Sequence, residues 1–221
     1  ELLAKYTIFA EGCRGHLGKR LINRFNLDAG RDPQHYGIGL KELWEIDPAK
    51  HEEGMVLHGS GWPLSETHSS GGWWLYFDEN NQVSFGLVVD LAYHNPYLSP
   101  FDELQRLKTH PLIRNILEGG KRLSYGARAL TKGGLNALPK LTFAGGVLVG
   151  DDAGFLNPAK IKGTHTAIKS GMLAAEAVYE AIAAGRANDE VTTYEQNFKN
   201  SWLFEDMYQA RNFAPAMHRM G

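Results

Sequence analysis

Residues 147–171, "VLVGDDAGFLNPAKIKGTHTAIKSG", determine the fold class that this sequence predicts. The stretch begins with a short apolar run, continues through residues that are typical of turns, and ends in a run of small residues that favours a helix. Strand, loop and helix in this order form the repeating unit of α/β folds, in which ligands bind at the carboxyl ends of the strands. The sequence therefore predicts a ligand-binding α/β domain.

Two features of this stretch suit a ligand. Asp151 follows the strand directly, where a carboxylate can accept hydrogen bonds from ligand hydroxyl groups. The helix that begins in "KGTHT" has no acidic residue in its first turn, so its free N–H groups suit an anionic group. Gly163 would let a flat ring approach the backbone, and Thr164 adds a hydroxyl. The residues alone leave an alternative open, in which Asp151 caps a turn and Thr164 is an ordinary N-cap.

A second glycine motif lies in residues 7–21, "TIFAEGCRGHLGKRL". A β-branched and aromatic run, a glycine turn and an amphipathic helix predict a β-turn-α unit. By itself this motif indicates no more than a tight connection. With the stretch at 147–171, it predicts the second half of one site. A buried strand so near the first residue also leads us to expect a fragment of a longer protein.

The middle of the chain has a different pattern. From Gly37 onwards, four short alternating runs are separated by turn residues, which predicts an antiparallel meander. One or two helices follow, with Pro100 at a start and Pro111 between them. The simplest architecture is a nucleotide-binding α/β domain, residues 1–28 and 131–221, interrupted by an antiparallel-sheet domain, residues 29–130. Within the helix at 164–184, the sequence predicts a core-facing row: Ile168, Gly171, Ala175, Val178 and Ile182.

The composition argues against several functional classes. The formal net charge is −2 and no basic run is present, so nucleic acid is not an expected partner. Cys13 is the single cysteine, which excludes an internal disulfide framework and cannot by itself hold a cluster or a structural zinc. The histidines are not spaced as metal ligands, and we expect no metal site here. No apolar run approaches the roughly 18 residues of a spanning helix.

Six segments carry a family resemblance: "TIFAEGCRGHLGKRL", "YGIGLKELWEI", "SGGWWLYF", "NPYLSPFDELQRLKTHP", "EGGKRLSYGARAL" and "NPAKIKGTHTAIKSG". Their sequences and their order closely resemble electron-transfer flavoprotein–ubiquinone oxidoreductases, which are flavoprotein dehydrogenases that pass electrons from reduced electron-transfer flavoprotein to ubiquinone. The resemblance implies an α/β (α+β) fold, in which an FAD domain of the glutathione-reductase type is interrupted by an antiparallel-sheet quinone-binding domain. It covers nearly the whole chain.

The departures from the family pattern are equally informative. The N-terminal Gly-x-Gly-x-x-Gly fingerprint and the four cysteines that hold a 4Fe-4S cluster are both absent from the sequence. The resemblance therefore implies a central fragment of the enzyme, with the iron-sulfur cluster in a missing C-terminal part. As an isolated piece, the chain is not expected to hold FAD well or to turn over.

The resemblance assigns residues to the flavin cofactor. The implied cofactor-binding residues are Arg14, Gly15, Asn136, Asp151, Gly163 and Thr164. Gly163 and Thr164 would stabilise negative charge on the pyrimidine side of the reduced ring. Asp151 would lie beside the ribityl chain, and Asn136 would donate from its amide. No catalytic side chain is assigned, because the redox chemistry belongs to the flavin.

A glycine pair is the implied ubiquinone site. Gly71 and Gly72 precede "WWLYF", and the residues alone favour a glycine bulge with packed aromatic side chains. In the family pattern the same positions match the glycine pair of the quinone pocket, where a ring could approach backbone N–H groups. Trp73, Trp74 and Tyr76 would then form an apolar wall or a membrane-facing surface.

The resemblance also implies partners and a location. The partners are electron-transfer flavoprotein, ubiquinone and a membrane surface, to which the enzyme would bind as a peripheral, monotopic protein of the inner or cytoplasmic membrane. Two alternatives stay open. One is an FAD-dependent hydroxylase or prenyl reductase of the same fold, and the other is a non-catalytic interaction fragment.

Overall fold

The computed structural model describes residues 3–220 and, for side chains, residues 3–216. The strands are β1 (Thr7–Phe9), β2 (Tyr36–Glu45), β3 (Val56–Gly59), β4 (Gly71–Phe77), β5 (Gln82–Asp90), β6 (Lys121–Thr131), β7 (Thr142–Phe143) and β8 (Gly146–Leu148). The helices are α1 (His16–Phe25), α2 (Pro100–Leu107), α3 (Pro111–Leu117), α4 (Gly150–Ala153), α5 (Thr164–Ala183), α6 (Thr192–Lys199), α7 (Trp202–Gln209) and α8 (Phe213–Met220). Short 3-10 turns occupy Pro48–Lys50, Leu64–Thr67 and Leu135–Ala137.

The chain forms two compact units. Unit 1 contains the described residues up to His35 together with Thr131–Met220, and unit 2 contains Tyr36–Leu130. Residues 29–35, which the sequence pattern assigns to the inserted domain, therefore belong to unit 1. Hydrogen bonds explain this difference, because Asp32 N donates to Asn136 O at 3.0 Å and Lys132 N donates to His35 O at 2.8 Å.

Unit 1 is built on a small sheet with the strand order β1-β8-β7. β1 runs parallel to β8, with Thr7 opposite Gly146 and Phe9 opposite Leu148, and β7 is antiparallel to β8. Its core combines side chains of the sheet with those of α5, α6 and α7, among them Val147, Leu148, Phe155, Ala174, Tyr194 and Met207. The buried Tyr194 hydroxyl donates to Leu148 O at 3.2 Å, so this core leaves no unpaired phenol. The predicted α/β class of this part is confirmed.

Unit 2 is a five-stranded sheet with the order β3-β4-β5-β2-β6. In β5, alternate residues from Val83 to Val89 are almost fully buried, as expected of a strand with one face on a core. α2 and α3 cover that face, and both helices begin with a proline that follows a capping side chain, Ser99 and His110. The predicted antiparallel sheet and the helix break at Pro111 are confirmed.

The predicted order of a simple meander is wrong. β2 pairs with β5 rather than with β3, and their register runs from Gly37 opposite Asp90 to Glu45 opposite Gln82. β5 lies at the centre of the sheet, between β4 and β2, and its apolar residues belong to the core. Adjacent runs in sequence therefore did not give the strand order.

The predicted core row of α5 is also wrong. Ile168 is 60% exposed and Ile182 is 39% exposed. The buried positions of α5 are Thr166, Ser170, Leu173, Ala174, Ala177 and Ala181. Small side chains let the helix pack closely, and the Ser170 hydroxyl accepts from Gly150 N at 2.9 Å. Among the residues with described structure, no helix combines the length and apolar character that crossing a membrane requires.

Candidate functional site

The N-terminus of α5 presents free polar groups. No side chain caps this end, its first turn contains no acidic residue, and Thr164 is exposed. The Thr166 hydroxyl lies 2.7 Å from the carbonyl oxygens of Phe155 and Gly163, which ties the helix to the loop before it. The helix end is therefore fixed, while its first N–H groups and their positive dipole remain available to an anionic group.

Asp151 lies beside this helix end. α4 follows β8 directly and carries Asp151, and a β-carbon at Gly163 would lie 3.5 Å from Asp151 Oδ1. Burial raises the pKa of the Asp151 carboxyl, and a hydrogen bond from backbone partly opposes this rise. The structure thus brings Asp151, Gly163 and Thr164 together, as the sequence pattern predicts for one site.

Gly163 is not explained by packing within unit 1. An added β-carbon there would meet its nearest atoms, from Asp151, Leu156 and Phe155, at 3.5–3.6 Å, which is ordinary van der Waals contact. Its φ of −118° is open to any residue. A glycine that neither backbone strain nor crowding demands is consistent with a ligand that lies against the backbone, so a flavin ring fits this position.

Asn136 lies on a neighbouring loop. Its side chain lines a cavity of about 260 Å³, together with Phe198 of α6 and Tyr208 of α7. The loop itself approaches the segment before α5, because a β-carbon at Gly134 would lie 3.1 Å from Pro158 Cγ. Asn136 therefore lines the same cavity as residues of α6 and α7, and its role as an amide donor to a flavin stays a prediction.

In the first glycine motif, a carboxylate of the chain itself binds the N-terminus of the helix. Glu11 Oε2 accepts hydrogen bonds from Leu17 N at 2.8 Å and from Gly18 N at 2.9 Å, so the N-terminus of α1 is capped by a carboxylate of the chain. This end differs in that respect from the uncapped end of α5. The sequence reasoning missed Glu11, although an acidic residue directly before a glycine turn was the available signal.

Gly15 and Arg14 flank this capped end. Gly15 precedes α1, and an added β-carbon would overlap Asp152 Oδ1 and lie 2.9 Å from Glu11 Cβ. Close packing against Asp152 therefore suffices to explain Gly15. Arg14 is exposed at the same turn. Whether these two residues border a cofactor stays a prediction.

Asp152 is a further residue that sequence reasoning missed. It is 9% exposed, and its Oδ2 atom is buried without a hydrogen-bond partner. Burial, and then the negative charge of Glu11, raise the Asp152 pKa to about 6, against smaller opposing effects of a Glu11 backbone hydrogen bond and of Lys19. Two carboxylates thus lie together where the two halves of unit 1 meet.

Gln34 joins three loops near α5. Its Oε1 atom accepts from Gly133 N at 2.8 Å and from His35 N at 3.1 Å. A β-carbon at Gly154, whose φ is +99°, would lie 2.5 Å from Gln34 Nε2. Nothing in the polar sequence around Gln34 marks it, since these contacts connect segments that lie far apart in the chain.

The glycine pair lies at the start of β4, where the chain itself fills the space beside both residues. A β-carbon at Gly71 would overlap the carbonyl oxygen of Val88 and the Leu64 side chain, and one at Gly72 would lie 2.9 Å from the Gly59 carbonyl oxygen. Close packing within unit 2 therefore requires glycine at both positions. The pair is part of a regular strand rather than a bulge, because Gly71 and Gly72 pair with Val89 and Val88.

The backbone of Gly71 is not paired with β3. Asp90 N donates to Ser70 O, so Gly72 and every second residue after it form their backbone hydrogen bonds with β5. The backbone groups of Gly71 and Trp73 point to the other side of β4, where β3 lies. The β3 register ends at Gly59 opposite Trp73. The peptide groups of Gly71 therefore face a side on which the β3 ladder has already ended.

The neighbouring aromatic side chains pack on the sheet. A β-carbon at Gly59 would overlap the Trp73 ring, and one at Gly86 would overlap the Trp74 ring, so both rings pack against glycines. The Tyr76 hydroxyl lies 2.8 Å from His58 Nε2. Among the described residues, no group of three or more possible metal-ligating side chains is present.

The fold is similar to those of two solved structures. It resembles a geranylgeranyl bacteriochlorophyll reductase-like protein from Thermoplasma acidophilum, with a TM-score of 0.67 and 20% identity over 89% of this chain and 46% of that chain. It also resembles CmlS, a flavin-dependent halogenase, with a TM-score of 0.62 and 18% identity over 94% of this chain and 36% of the other. At this level of identity, the likeness shows a shared fold alone.

Sequence similarity then identifies the family. Tyr36–Leu130 matches the family model described as "ETF-QO, ubiquinone-binding". The curated relatives include the "probable electron transfer flavoprotein-ubiquinone oxidoreductase" of Acinetobacter baylyi, 68% identical over 100% of this chain and 42% of the relative. The Pseudomonas aeruginosa and human mitochondrial proteins of that name are 60% and 54% identical, over 100% and 99% of this chain. This chain belongs to the electron transfer flavoprotein-ubiquinone oxidoreductase family, which confirms the resemblance.

The chain spans only part of these relatives. It covers 42%, 40% and 36% of the Acinetobacter, Pseudomonas and human proteins. In these relatives, the residues that match this chain are one portion of a longer protein.

Proposed function

We propose that this chain is the part of an electron transfer flavoprotein-ubiquinone oxidoreductase that positions the flavin of FAD in unit 1 and receives ubiquinone in unit 2. One observation carries the flavin assignment: an uncapped N-terminus of α5, beside a glycine that packing does not require. The names of the relatives supply the substrate class, and the family match of Tyr36–Leu130 supplies the quinone.

Each residue of the flavin site has a distinct task. The free N–H groups of the first turn and the Thr164 hydroxyl would face the oxygen that gains negative charge on reduction. The Asp151 carboxylate would accept hydrogen bonds from hydroxyls of the ribityl chain. Gly163 would keep side-chain atoms away from the ring. Bound FAD would supply the redox chemistry, and the protein supplies position and electrostatics.

In unit 2, the Gly71 backbone is the proposed hydrogen-bonding group. Its peptide faces the side of β4 that β3 leaves unpaired, and an N–H group there can donate to a quinone carbonyl oxygen. The ring would not occupy the space beside the glycine β-positions, because Val88, Leu64 and Gly59 fill it. This arrangement revises how the glycine pair would serve the quinone, by its backbone rather than by the room that the missing side chains leave.

The remaining assignments rest on the family. The relatives' names support reduced electron transfer flavoprotein as electron donor, and the mammalian relatives are named mitochondrial. We place the enzyme at the surface of the inner or cytoplasmic membrane as a peripheral protein. A 4Fe-4S cluster would belong to a part of the enzyme outside this sequence, because Cys13 is its single cysteine.

A prenyl reductase is the second candidate function. The observation that favours it is the fold similarity to the geranylgeranyl bacteriochlorophyll reductase-like protein, although at 20% identity that similarity shows the fold alone. Reduction of the flavin in the full-length protein by a nicotinamide cofactor would support this alternative. Oxidation by a ubiquinone analogue, without any response to nicotinamide, would support the oxidoreductase.

The decisive experiment removes the Thr164 hydroxyl. In the full-length protein, Thr164→Ala should lower the midpoint potential of bound FAD, because a hydrogen bond to a charged group is worth about 1.5–3 kcal/mol. For a two-electron couple this corresponds to about 30–65 mV. Thr192→Ala is the matched control, since Thr192 is the exposed first residue of α6. Equal potentials in the two variants, measured by spectroelectrochemical titration, would contradict the proposed role of α5.

A further inference from the structure

The segment before α5 is a tight loop with a strained residue. Residues 157–162 form it, and Asn157 N donates to Lys162 O at 3.2 Å across its base. Asn157 Oδ1 accepts from Ala159 N at 3.0 Å and from Lys160 N at 3.2 Å. Ile161 has a φ of +51°, which β-branched residues rarely adopt, and it is 47% exposed. Burial of Ile161 does not compensate for this strain, so contacts elsewhere must hold the loop.

Asp206 on α7 provides those contacts. Its Oδ2 atom accepts from Asn157 Nδ2 at 2.8 Å, and its Oδ1 atom forms an ion pair with Lys160 Nζ. The Asp206 side chain is 18% exposed. Burial alone would raise its pKa, but the hydrogen bonds from Lys160 and Asn157 outweigh burial and lower it. Asp206 is therefore ionised at neutral pH, and its two oxygens hold two residues of the loop.

The same carboxylate faces the first turn of α5. His165 is the second residue of that helix, and its ring stacks on Trp202 of α7 with centroids 6.1 Å apart and planes within 9°. His165 Nε2 lies 3.6 Å from Asp206 Oδ2, too far for a hydrogen bond, and it is buried without a hydrogen-bond partner. Asp206 thus lies between the loop that leads to Gly163 and the turn that contains Thr164.

We propose that Asp206 is a positioning residue for the flavin-facing end of α5, and that through Asn157 and Lys160 it helps to set the reduction potential of the bound flavin. The inference rests on the proposed function. Its physical basis is geometric, because N–H groups stabilise a developing charge only when they are held close to the required position. Gly163 and Thr164 directly follow the loop that Asp206 holds, so movement of the loop would move the donors.

A purely structural role predicts a different outcome. Buried ion pairs are weak evidence for stability, and removal of one partner commonly destabilises a protein without any functional consequence. If Asp206 only joins α7 to the loop, its removal would lower the melting temperature and leave the flavin potential unchanged. If Asp206 positions α5, the potential itself must change.

The test uses the full-length protein with Asp206→Asn and Lys160→Met. Lys160→Met removes an exposed charge and should fold even if Asp206→Asn does not, since the Lys160 side chain is 56% exposed. Glu205→Gln is the matched control, because Glu205 lies on the same helix and contacts Gln209 at 3.4 Å. The measurements are the midpoint potential of bound FAD and, in flavin-free protein, hydrogen exchange of peptides that span residues 157–165.

We expect lower potentials for Asp206→Asn and Lys160→Met, in the same direction as for Thr164→Ala. Exchange over residues 157–165 should accelerate about tenfold or more in both, and Glu205→Gln should change neither quantity. The double variant Asp206→Asn/Thr164→Ala should lower the potential by less than the sum of the two single effects. Both substitutions act on the same interaction, between the start of α5 and the flavin.

The outcomes separate this inference from the proposed function. A lowered potential in Thr164→Ala, with unchanged potentials in Asp206→Asn and Lys160→Met, would overturn the positioning role alone. An unchanged potential in Thr164→Ala would overturn the flavin-facing role of α5 and this inference with it. Faster exchange without any change in potential would assign Asp206 a structural role only.

Discussion

The Asp152 carboxylate packs directly against Gly18, so closely that a β-carbon at residue 18 would lie 2.6 Å from Asp152 Oδ2. Gly18 belongs to α1 and Asp152 to α4, and these helices follow the strands of the two glycine motifs of unit 1. Glu11 caps α1 from the other side by accepting from Gly18 N. The sequence pattern predicts these two motifs as two halves of one site. In the structure, the Asp152 carboxylate joins them, and its position leaves no room for a side chain at residue 18.

The first prediction concerns this contact. Gly18→Ala should destabilise the full-length protein by about 1–3 kcal/mol, the usual cost of overpacking, even though alanine favours a helix by about 1 kcal/mol. Thermal unfolding monitored by circular dichroism measures the change. Gly171→Ala in α5 is the control, because an added β-carbon there meets nothing within 4 Å, and it should be neutral or stabilising.

A double variant separates overpacking from other effects. Because the obstructing atoms belong to Asp152, Asp152→Ala should relieve most of the destabilisation that Gly18→Ala causes. Strictly additive effects of the two substitutions would contradict direct contact as the cause.

The second prediction is a pH dependence. The pKa of Asp152 is about 6 in the folded chain and near 3.8 in an unfolded one, so between these values the folded state binds the additional proton. Stability contributed by protonated Asp152 is therefore fully present below about pH 4 and lost as the pH rises to 6. Asp152→Asn should remove this decline. Urea unfolding at a series of pH values tests it, and an unaltered slope in Asp152→Asn would show that another group titrates.

The third prediction concerns the glycine pair. Gly71→Ala should destabilise unit 2 more than Gly72→Ala, because the added carbon at Gly71 overlaps backbone and side chain, whereas that at Gly72 approaches one carbonyl oxygen at 2.9 Å. A cost of about 1–3 kcal/mol is typical of such crowding. Gly126→Ala in β6 is the matched control, since its β-carbon would meet nothing within 4 Å.

This prediction also changes how quinone binding must be tested. Loss of quinone reduction in a Gly71 or Gly72 variant would not identify a quinone site, because the sheet itself requires both glycines. Photolabelling of the full-length protein with a quinone analogue, followed by mapping of the labelled peptide, tests the site without altering it. Labels confined to segments away from the start of β4 would contradict the proposed position.

The sequence predicts those elements in which the apolar residues of the local pattern are also the buried residues of the structure. The apolar side chains at alternate positions of β5 are buried, and the uncapped start of α5 is visible as "KGTHT" without an acidic residue. α5 itself is apolar on both faces, so its sequence could not show which row is buried. In the structure, the small residues face the core and Ile168 lies at the surface.

Apart from the contacts of Glu11, the contacts that sequence reasoning missed join distant segments. Asn157 and Asp206 are 49 residues apart, and Gln34 and Gly133 are 99 residues apart. Neither pair has a periodicity or a spacing that marks it. The same limit applies to the pairing of β2 with β5, which depends on the folded sheet and not on the neighbouring sequence.

The fourth prediction concerns a buried carboxylate in unit 2. Glu42 on β2 is 2% exposed and accepts hydrogen bonds from Trp44 Nε1 at 2.8 Å and from Lys108 Nζ at 3.0 Å. Arg122 lies 3.3 Å away as a second cation. Burial alone would raise the Glu42 pKa, but the hydrogen bonds from Lys108 and Trp44 outweigh it, and the pKa is lowered from 4.5.

Neutralising Glu42 should therefore be costly, since Glu42→Gln leaves the Lys108 ammonium, 18% exposed, without its counter-charge. We expect a loss of about 2–4 kcal/mol, near the value for breaking a buried pair. The exposed pair of Arg114 and Glu118 is the control, and Glu118→Gln should cost less than about 1 kcal/mol. Because the folded pKa is lowered, the contribution of Glu42 is present above pH 4.5 and is lost as the pH falls through its folded value. Urea unfolding of the full-length protein should show the largest difference between Glu42→Gln and the unsubstituted protein near pH 7, and this difference should shrink as the pH falls below 4.5. A difference that does not change with pH would contradict the ionic role of Glu42.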